Sequence, residues 1–321
     1  MAENSEFALI DHYFRRATTR ADIVLSIGDD AAIVSVPDRQ QLAIAIDTLV
    51  AGVHFPLDTP PYDIGYKAVA VNLSDMAAMG AQPRWMTLAL TLPQADTDWV
   101  QAFADGLFAA AQAFDVALIG GDTTRGPLTI SIQIAGTLPP DRALRRTGAQ
   151  VGDAVYVSGT LGDAGLGLAF AQGKCILSTA DGEYCLQRLR RPTPRVALGL
   201  ALRGIATSAI DVSDGLSADL AHILTASRVG ASLNLDALPL SPALRRLSAA
   251  DATQYALHSG DDYELCFTAP QIHAATLTRI AQALDVPLTQ IGHIEPASGL
   301  RGYSANGPVT DLRPQGYEHF P

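Results

Sequence analysis

Aspartate beside glycine, serine or asparagine recurs along this chain, at Gly28-Asp29-Asp30, Asn72-Leu73-Ser74-Asp75, Ser213-Asp214-Gly215 and Gly260-Asp261-Asp262. Three more aspartates close apolar, strand-like runs: LAIAID at Asp47, VALIGGD at Asp122 and ATSAID at Asp211. An acid at the end of such a run is expected at a sheet edge. Carboxylates gathered in one cleft repel each other and resist desolvation, so they require cations, and oxygen-only donors favour magnesium or manganese over zinc. Phosphoryl transfer is the chemistry that uses such a set. Taken singly, each of these turns is also an ordinary way to satisfy backbone donors, and spacing alone does not bring them together.

Other groups are less specific. His54 follows a strand-like run by a few residues, where a lone histidine is commonly a packing or surface residue. Arg142, Arg145 and Arg146 form a short basic cluster that reads either as a solvated loop or, at Arg146, as a planar clamp for phosphate oxygens. The glycine-rich Ser158–Gly167 segment matches neither GxGxxG nor GxxxxGK[ST], so it reads as close packing of a strand on a helix. HRD and DFG signatures are absent.

The elements that must position these residues follow from periodicity. Phe7, Ile10, Tyr13 and Phe14 have helical spacing, and Ala31–Val36 and Leu42–Ile46 are short β-rich runs. Pro61 opens a helix to Met79 that carries Asn72 and Asp75; Arg84–Leu92 reads as a strand, Asp98–Phe114 as a helix, and Leu128–Ile134 as a strand with one buried face. Prolines, glycine and arginines between Leu138 and Gly152 suit a junction, giving domains 1–140 and 141–321. Beyond it come a strand at Ala154–Val157, helices through Arg203, a strand ending at Asp211, a helix at Leu216–Ser227, a strand at Glu264–Thr268 and a helix at Ile272–Leu284.

Length and composition agree with two globular domains: 321 residues, 48% hydrophobic and 17% charged. The formal charge of −11 opposes nonspecific association with nucleic acid or an anionic membrane, so neither is expected as a partner, and a phosphate ligand would need metal. Three cysteines without CxxC spacing suggest neither a disulfide framework nor a thiolate zinc site. The N-terminal stretch lacks a long apolar run with a small-residue cleavage site, so a cytoplasmic location is expected.

The segments GDDAAIV (Gly28–Val34), DTLVAGVHF (Asp47–Phe55), YKAVAVNLSDMAAMGAQP (Tyr66–Pro83), GGDTTRGPL (Gly120–Leu128), DVSDGLSADL (Asp211–Leu220), GDDYELCF (Gly260–Phe267) and the closing GYEHF (Gly316–Phe320) resemble those of thiamine-monophosphate kinases, in order and spacing, over nearly the whole chain. The resemblance implies an α/β (α+β) fold of two domains like aminoimidazole ribonucleotide synthetase, with an N-terminal mixed sheet, a C-terminal α/β domain, and a homodimer in which the N-terminal sheets pair. It implies ATP as co-substrate, several magnesium ions, and thiamine monophosphate as acceptor. On it, Asp30, Asp47, Asp75, Asp122, Asp211 and Asp214 are expected as metal ligands, with oxygens at Ile46 and Thr48; Ile46 can offer only its carbonyl. Gly121, Asp122, Arg146 and Ser213 are expected at ATP, and His54, Asp261 and Tyr317 at thiamine monophosphate. The family usually carries glutamate where this chain has Asp261, and the choice between Asp261 and Asp262 is open here. The alternatives are another ATP-using member of the superfamily or a noncatalytic calcium module. Selenophosphate synthesis would favour a reactive Cys or Sec near the start, and no Cys precedes Cys175; EF-hand spacing is missing.

Overall fold

The computed structural model describes residues 6–305 and 307–320. The chain divides into two compact units: one runs to Met76 and takes in Ala81–Asp141, and the other holds Ala77–Gly80 and the chain from Arg142 onward.

The first unit contains α1 (Glu6–Leu9), continuing as a wider helical turn at Ile10–Phe14, then β1 (Ile23–Leu25), β2 (Ile33–Val34), β3 (Gln41–Val50), α2 (Pro61–Ala78), β4 (Gln82–Leu92), α3 (Thr97–Ala113), β5 (Ala117–Arg125) and β6 (Thr129–Leu138). Strands β3-β6-β4-β5 form a mixed sheet, with β4 and β5 parallel and the other neighbours antiparallel. Period-two alternation buries Ile130, Ile132 and Ile134 of β6 on one face, together with Leu88 and Leu90 of β4. Met76 of α2 lies on that face, since a Cβ at Gly136 of β6 would meet its sulfur. Helices α2 and α3 cross at Gly65 and Gly106, where a Cβ on either would collide with the backbone of the other helix. Asp96 caps α3, accepting from the amides of Asp98 and Trp99.

Three expectations change here. The run Ala31–Val36 supplies only the two-residue β2, whose partner β1 has three residues. Asp47 and Asp122 do not close their strands. All ten residues of β3 pair with β6, carrying the ladder past Asp47 to Val50, and β5 stays in register with β4 as far as Arg125. A continuous ladder satisfies more backbone groups than an early stop would, so the acids sit within strands.

The second unit contains β7 (Ala154–Ser158), α4 (Asp163–Ala171), α5 (Thr179–Arg190), α6 (Val196–Ala201), β8 (Ser208–Asp211), α7 (Leu216–Ser227), β9 (Gly230–Asn234), α8 (Ala249–His258), β10 (Leu265–Ala269), α9 (Ala274–Leu284), β11 (Leu288–Glu295), β12 (Gly299–Tyr303) and β13 (Thr310–Leu312). Its sheet runs β13-β12-β9-β11-β7-β10-β8. Val155, Val157, Ile210, Leu216, Leu220 and Ile291 belong to the core beneath it. Asp211 does end its strand, and the turn 212–215 leads directly into α7. Among the described residues no helix is long and apolar enough to cross a membrane.

Candidate functional site

In the first unit, strand register sorts the expected ligands by face. Asp47 shares a row with buried Ile132 and Leu88, whereas Thr48 shares the next row with Ser131, exposed Ala89 and Asp122. Neighbouring rows point to opposite faces. Ile46, Thr48 and Asp122 therefore lie on the open face, with Thr48 Oγ1 2.7 Å from Ser131 Oγ. Asp47 leaves the face covered by α2, the helix that carries half-buried Asp75. Asp47 and Asp122 cannot chelate one ion within this unit. Asp30 is exposed in the turn before β2, its amide bonded to the Asp29 side chain at 2.9 Å. Gly121 and Asp122 line a small cleft with Ile10, Phe14, Ile27 and Thr123.

His54 sits in the turn after β3. Its Nδ1 accepts the Val50 amide at 2.9 Å, which puts the ring proton of the neutral form on Nε2 and fixes the ring orientation. Lys67 Nζ donates to the His54 carbonyl at 3.3 Å.

In the second unit the expected residues converge. The turn 211–215 is joined to the segment 260–264 by three backbone bonds: Asp261 N–H to Ser213 O, Tyr263 N–H to Val212 O, and Val212 N–H to Glu264 O, each 2.8 Å. The C-terminal tail arrives at the same turn, with Tyr317 N–H donating to Asp214 O at 3.1 Å. Asp211, Ser213, Asp214, Asp261 and Tyr317 are thereby gathered around one turn. Burial raises the Asp214 carboxyl, while His222, His319 and Arg146 draw it down and Asp261 pushes it up, which also puts Arg146 within electrostatic range.

Between the two candidate acids of the segment 260–264 the structure separates roles. Asp262 is 1% exposed and accepts the Gly162 amide at 2.6 Å and the Ala164 amide at 3.4 Å, tying the glycine-rich turn to this loop. Its burial raises its pKa well above the usual carboxylate range. Asp261 is only half-buried and accepts from the Tyr263 hydroxyl at 3.2 Å. Both Asp261 and Tyr263 adopt left-handed backbone, with φ of 69° and 50°. Neither is glycine, so this turn holds a strained conformation of the kind found at binding loops.

Two residues of α7 that sequence reasoning passed over hold this arrangement. Asp219, 2% exposed, accepts the amides of Ser213, Asp214 and Gly215 on one carboxylate oxygen at 3.0–3.1 Å. Burial, with Asp211 and Asp214 alongside, pushes its carboxyl up to about 7. Ser217, fully buried, bonds the backbone of Gln315 and the His258 ring. The available signal for Asp219 was an acid just inside a helix whose capping position, Gly215, has no side chain to cap with.

The donor set fits magnesium in kind: every expected ligand is an oxygen. Among the described residues no group of three His, Cys, Asp or Glu could hold a metal ion on its own. Magnesium at a phosphoryl-transfer site commonly takes one or two carboxylates and completes its shell from phosphate and water. A cavity in the second unit does not mark this chemistry. About 620 Å³ in volume, it is lined by Leu224, Arg228, Leu300, Arg301, Asp311 and Leu312 and contains none of the expected residues.

Both halves of the chain are similar to known proteins. The model of AIR synthase related protein, N-terminal domain, matches residues 28–138, and that of the C-terminal domain matches residues 150–304. A thiamine-monophosphate kinase of Salmonella typhimurium is 50% identical over 319 residues, covering 98% of each chain. A crystal structure of thiamine-monophosphate kinase from Stenotrophomonas maltophilia superposes with a TM-score of 0.85 at 53% identity, over 88% of this chain and 92% of that one. A structure of AaThiL complexed with AMPPCP and TMP superposes with a TM-score of 0.78 at 31% identity, over 92% of both chains. With the two-domain AIR synthase-like architecture and this extent of identity, the chain belongs to the thiamine-monophosphate kinase family.

Proposed function

We propose that this chain transfers the γ-phosphoryl group of ATP directly to the phosphate of thiamine monophosphate, in line, giving thiamine diphosphate and ADP. The observation that carries this reading is the meeting of Asp211, Asp214, Asp261 and the Tyr317 tail at one turn, in a chain half identical to kinases of that name. A phosphate oxygen of the acceptor attacks the γ-phosphorus as the bond to the β–γ bridging oxygen breaks, and ADP leaves with the electron pair. The attacking oxygen is ionised at neutral pH, so no general base is required. Positioning and charge carry the reaction.

Asp30, Asp47, Asp75, Asp122, Asp211 and Asp214, with oxygens of Ile46 and Thr48, would hold magnesium. Since Asp47 and Asp122 leave opposite sheet faces, these residues would serve more than one ion. Bound magnesium would supply positive charge against the polyphosphate oxygens. Gly121, Asp122, Arg146 and Ser213 bind the nucleotide in this reading, and His54, Asp261 and Tyr317 bind thiamine monophosphate. The segment 1–140 then serves ATP, metal and dimerisation, 141–321 is the C-terminal α/β domain, and the enzyme works in the cytoplasm.

The direct test incubates the pure chain with ATP, magnesium and thiamine monophosphate and resolves the products. Equal amounts of ADP and thiamine diphosphate are expected; chelator should abolish both, and magnesium or manganese should restore them. ADP without thiamine diphosphate would point to another member of the superfamily, and rescue by zinc alone would remove the magnesium assignment.

A homodimer belongs to the same proposal. Edge strand β3 exposes Leu42, Ile44 and Ile46 along one face, at 43%, 60% and 65%. An apolar, unpaired edge of that kind invites cover by a second copy. Light scattering is expected to give about twice 33.8 kDa. A fully active monomer at micromolar concentration would contradict it.

A further inference from the structure

The tail that carries Tyr317 is exposed along its length, yet its backbone is fastened at defined points. Ser217 Oγ donates to the Gln315 carbonyl at 2.9 Å and accepts the Gln315 amide at 3.1 Å. The hydroxyl also meets His258 Nδ1 at 2.9 Å, the direction of that bond depending on the ring tautomer. Ser217 Oγ thus makes three polar contacts at a side chain that is 0% exposed. One residue on, Gly316 passes so close to the turn that a Cβ there would lie 2.6 Å from the Asp214 carbonyl oxygen and 2.8 Å from Ala218 Cβ. Both obstacles are fixed, one a backbone atom and the other a side chain on α7. The next amide, Tyr317 N–H, reaches that same Asp214 carbonyl at 3.1 Å.

We propose that Ser217 and Gly316 are positioning residues for substrate recognition: together they dock the tail on the first turn of α7 and so fix where Tyr317 stands relative to Asp214. The proposal rests on the reading that Tyr317 meets thiamine monophosphate. In its terms the hydroxyl and the missing Cβ do one job from two sides. Ser217 holds the tail at Gln315, and Gly316 lets it lie flat enough for the Tyr317 amide to reach Asp214. Neither residue touches substrate.

The experiment measures hydrogen exchange at the Gln315 and Tyr317 amides beside steady-state kinetics, in the wild-type chain and in Ser217→Ala, Gly316→Ala and Tyr317→Ala. Both amides should exchange slowly in the wild type although the tail is exposed, and both should lose protection in Ser217→Ala and Gly316→Ala. The Michaelis constant for thiamine monophosphate should rise about tenfold in those two variants, the scale of one or two net hydrogen bonds, while kcat and the constant for ATP stay within about twofold. Gly316→Ala keeps Ser217 and His258 intact, so it still decides the matter if Ser217→Ala folds poorly. Retained protection in both variants overturns the docking. Lost protection with an unchanged constant overturns the positioning role when Tyr317→Ala raises that constant. If Tyr317→Ala leaves the constant unchanged as well, the substrate reading falls, and the positioning role with it. An equal rise in both Michaelis constants alongside a lowered melting temperature would mark the tail as structural and overturn the proposal.

Discussion

Replacing Glu264 with alanine is expected to lower the stability of the chain by about 3–5 kcal/mol, the usual consequence of removing one partner from a buried ion pair. The Glu264 side chain is 0% exposed, and its carboxylate accepts from Arg195 Nε and Nη2 at 2.6 Å each, from Arg188 Nη2 at 2.9 Å and from Ser158 Oγ at 2.6 Å. The two arginine side chains are themselves only 13% and 15% exposed. Neither can shed its proton to escape burial, so the variant leaves two positive charges poorly hydrated. Glu264→Gln is the informative companion because it keeps the volume and one acceptor while cancelling the charge. Its loss should be smaller, and the difference between the variants reports the geometric share of the network. Urea denaturation at fixed magnesium measures both. A loss below about 1 kcal/mol for the alanine variant would mean that water reaches the arginines as the side chain is removed.

The same network explains which parts of the site could be read from the chain and which could not. The acidic turns were visible because Asp next to Gly or Ser is a local signal, and the structure does join the turn at Asp211–Gly215 to the segment at Gly260–Glu264. The faces were not visible. LAIAID and VALIGGD look like strands that stop at their acids, but where a strand stops depends on its partner. Pairing with β6 and β4 carries both strands onward and sends Asp47 and Asp122 to opposite sides. Asp262 and Glu264 likewise look like more members of an acidic cluster, while their burial against Gly162, Arg188 and Arg195 makes them supports. Those partners lie from 69 to 100 residues away, beyond the reach of any local pattern.

Much of the second sheet was missed for a related reason. Strands β9, β12 and β13 are three to five residues long, and β9 gains its neighbours from β11 and β12, far along the chain. Helix α8 went unnoticed too, although Ser248 caps it by accepting the Asp251 amide at 3.2 Å. Its His258 is the residue that Ser217 meets. The tail motif was legible as an aromatic end, but its fastening to α7 was not, because a serine at the second position of a helix carries no sign of a partner 98 residues later.

Asp214→Asn is expected to reduce turnover about a hundredfold or more, because it removes one negative charge from the proposed magnesium set and leaves the turn intact; a factor of that size corresponds to roughly 3 kcal/mol at the transition state. The turn should survive because its bonds involve the Asp214 backbone and not its carboxylate: the amide donates to Asp219 at 3.1 Å and the carbonyl accepts from Tyr317 at 3.1 Å. Burial raises the Asp214 carboxyl, so its proton leaves less readily there than in water. Two consequences separate a ligand from a bystander. Turnover in the variant should recover in part at high magnesium if the ion still binds through its other oxygens, and thermal stability without magnesium should hold or rise, since the substitution removes a charge that burial penalises. The wild-type chain should also require more magnesium as pH falls, because protonating a carboxyl with a raised pKa competes with the ion, and this dependence should weaken in the variant. Near-normal turnover at limiting magnesium, with the wild-type pH dependence retained, would exclude Asp214 from the metal set.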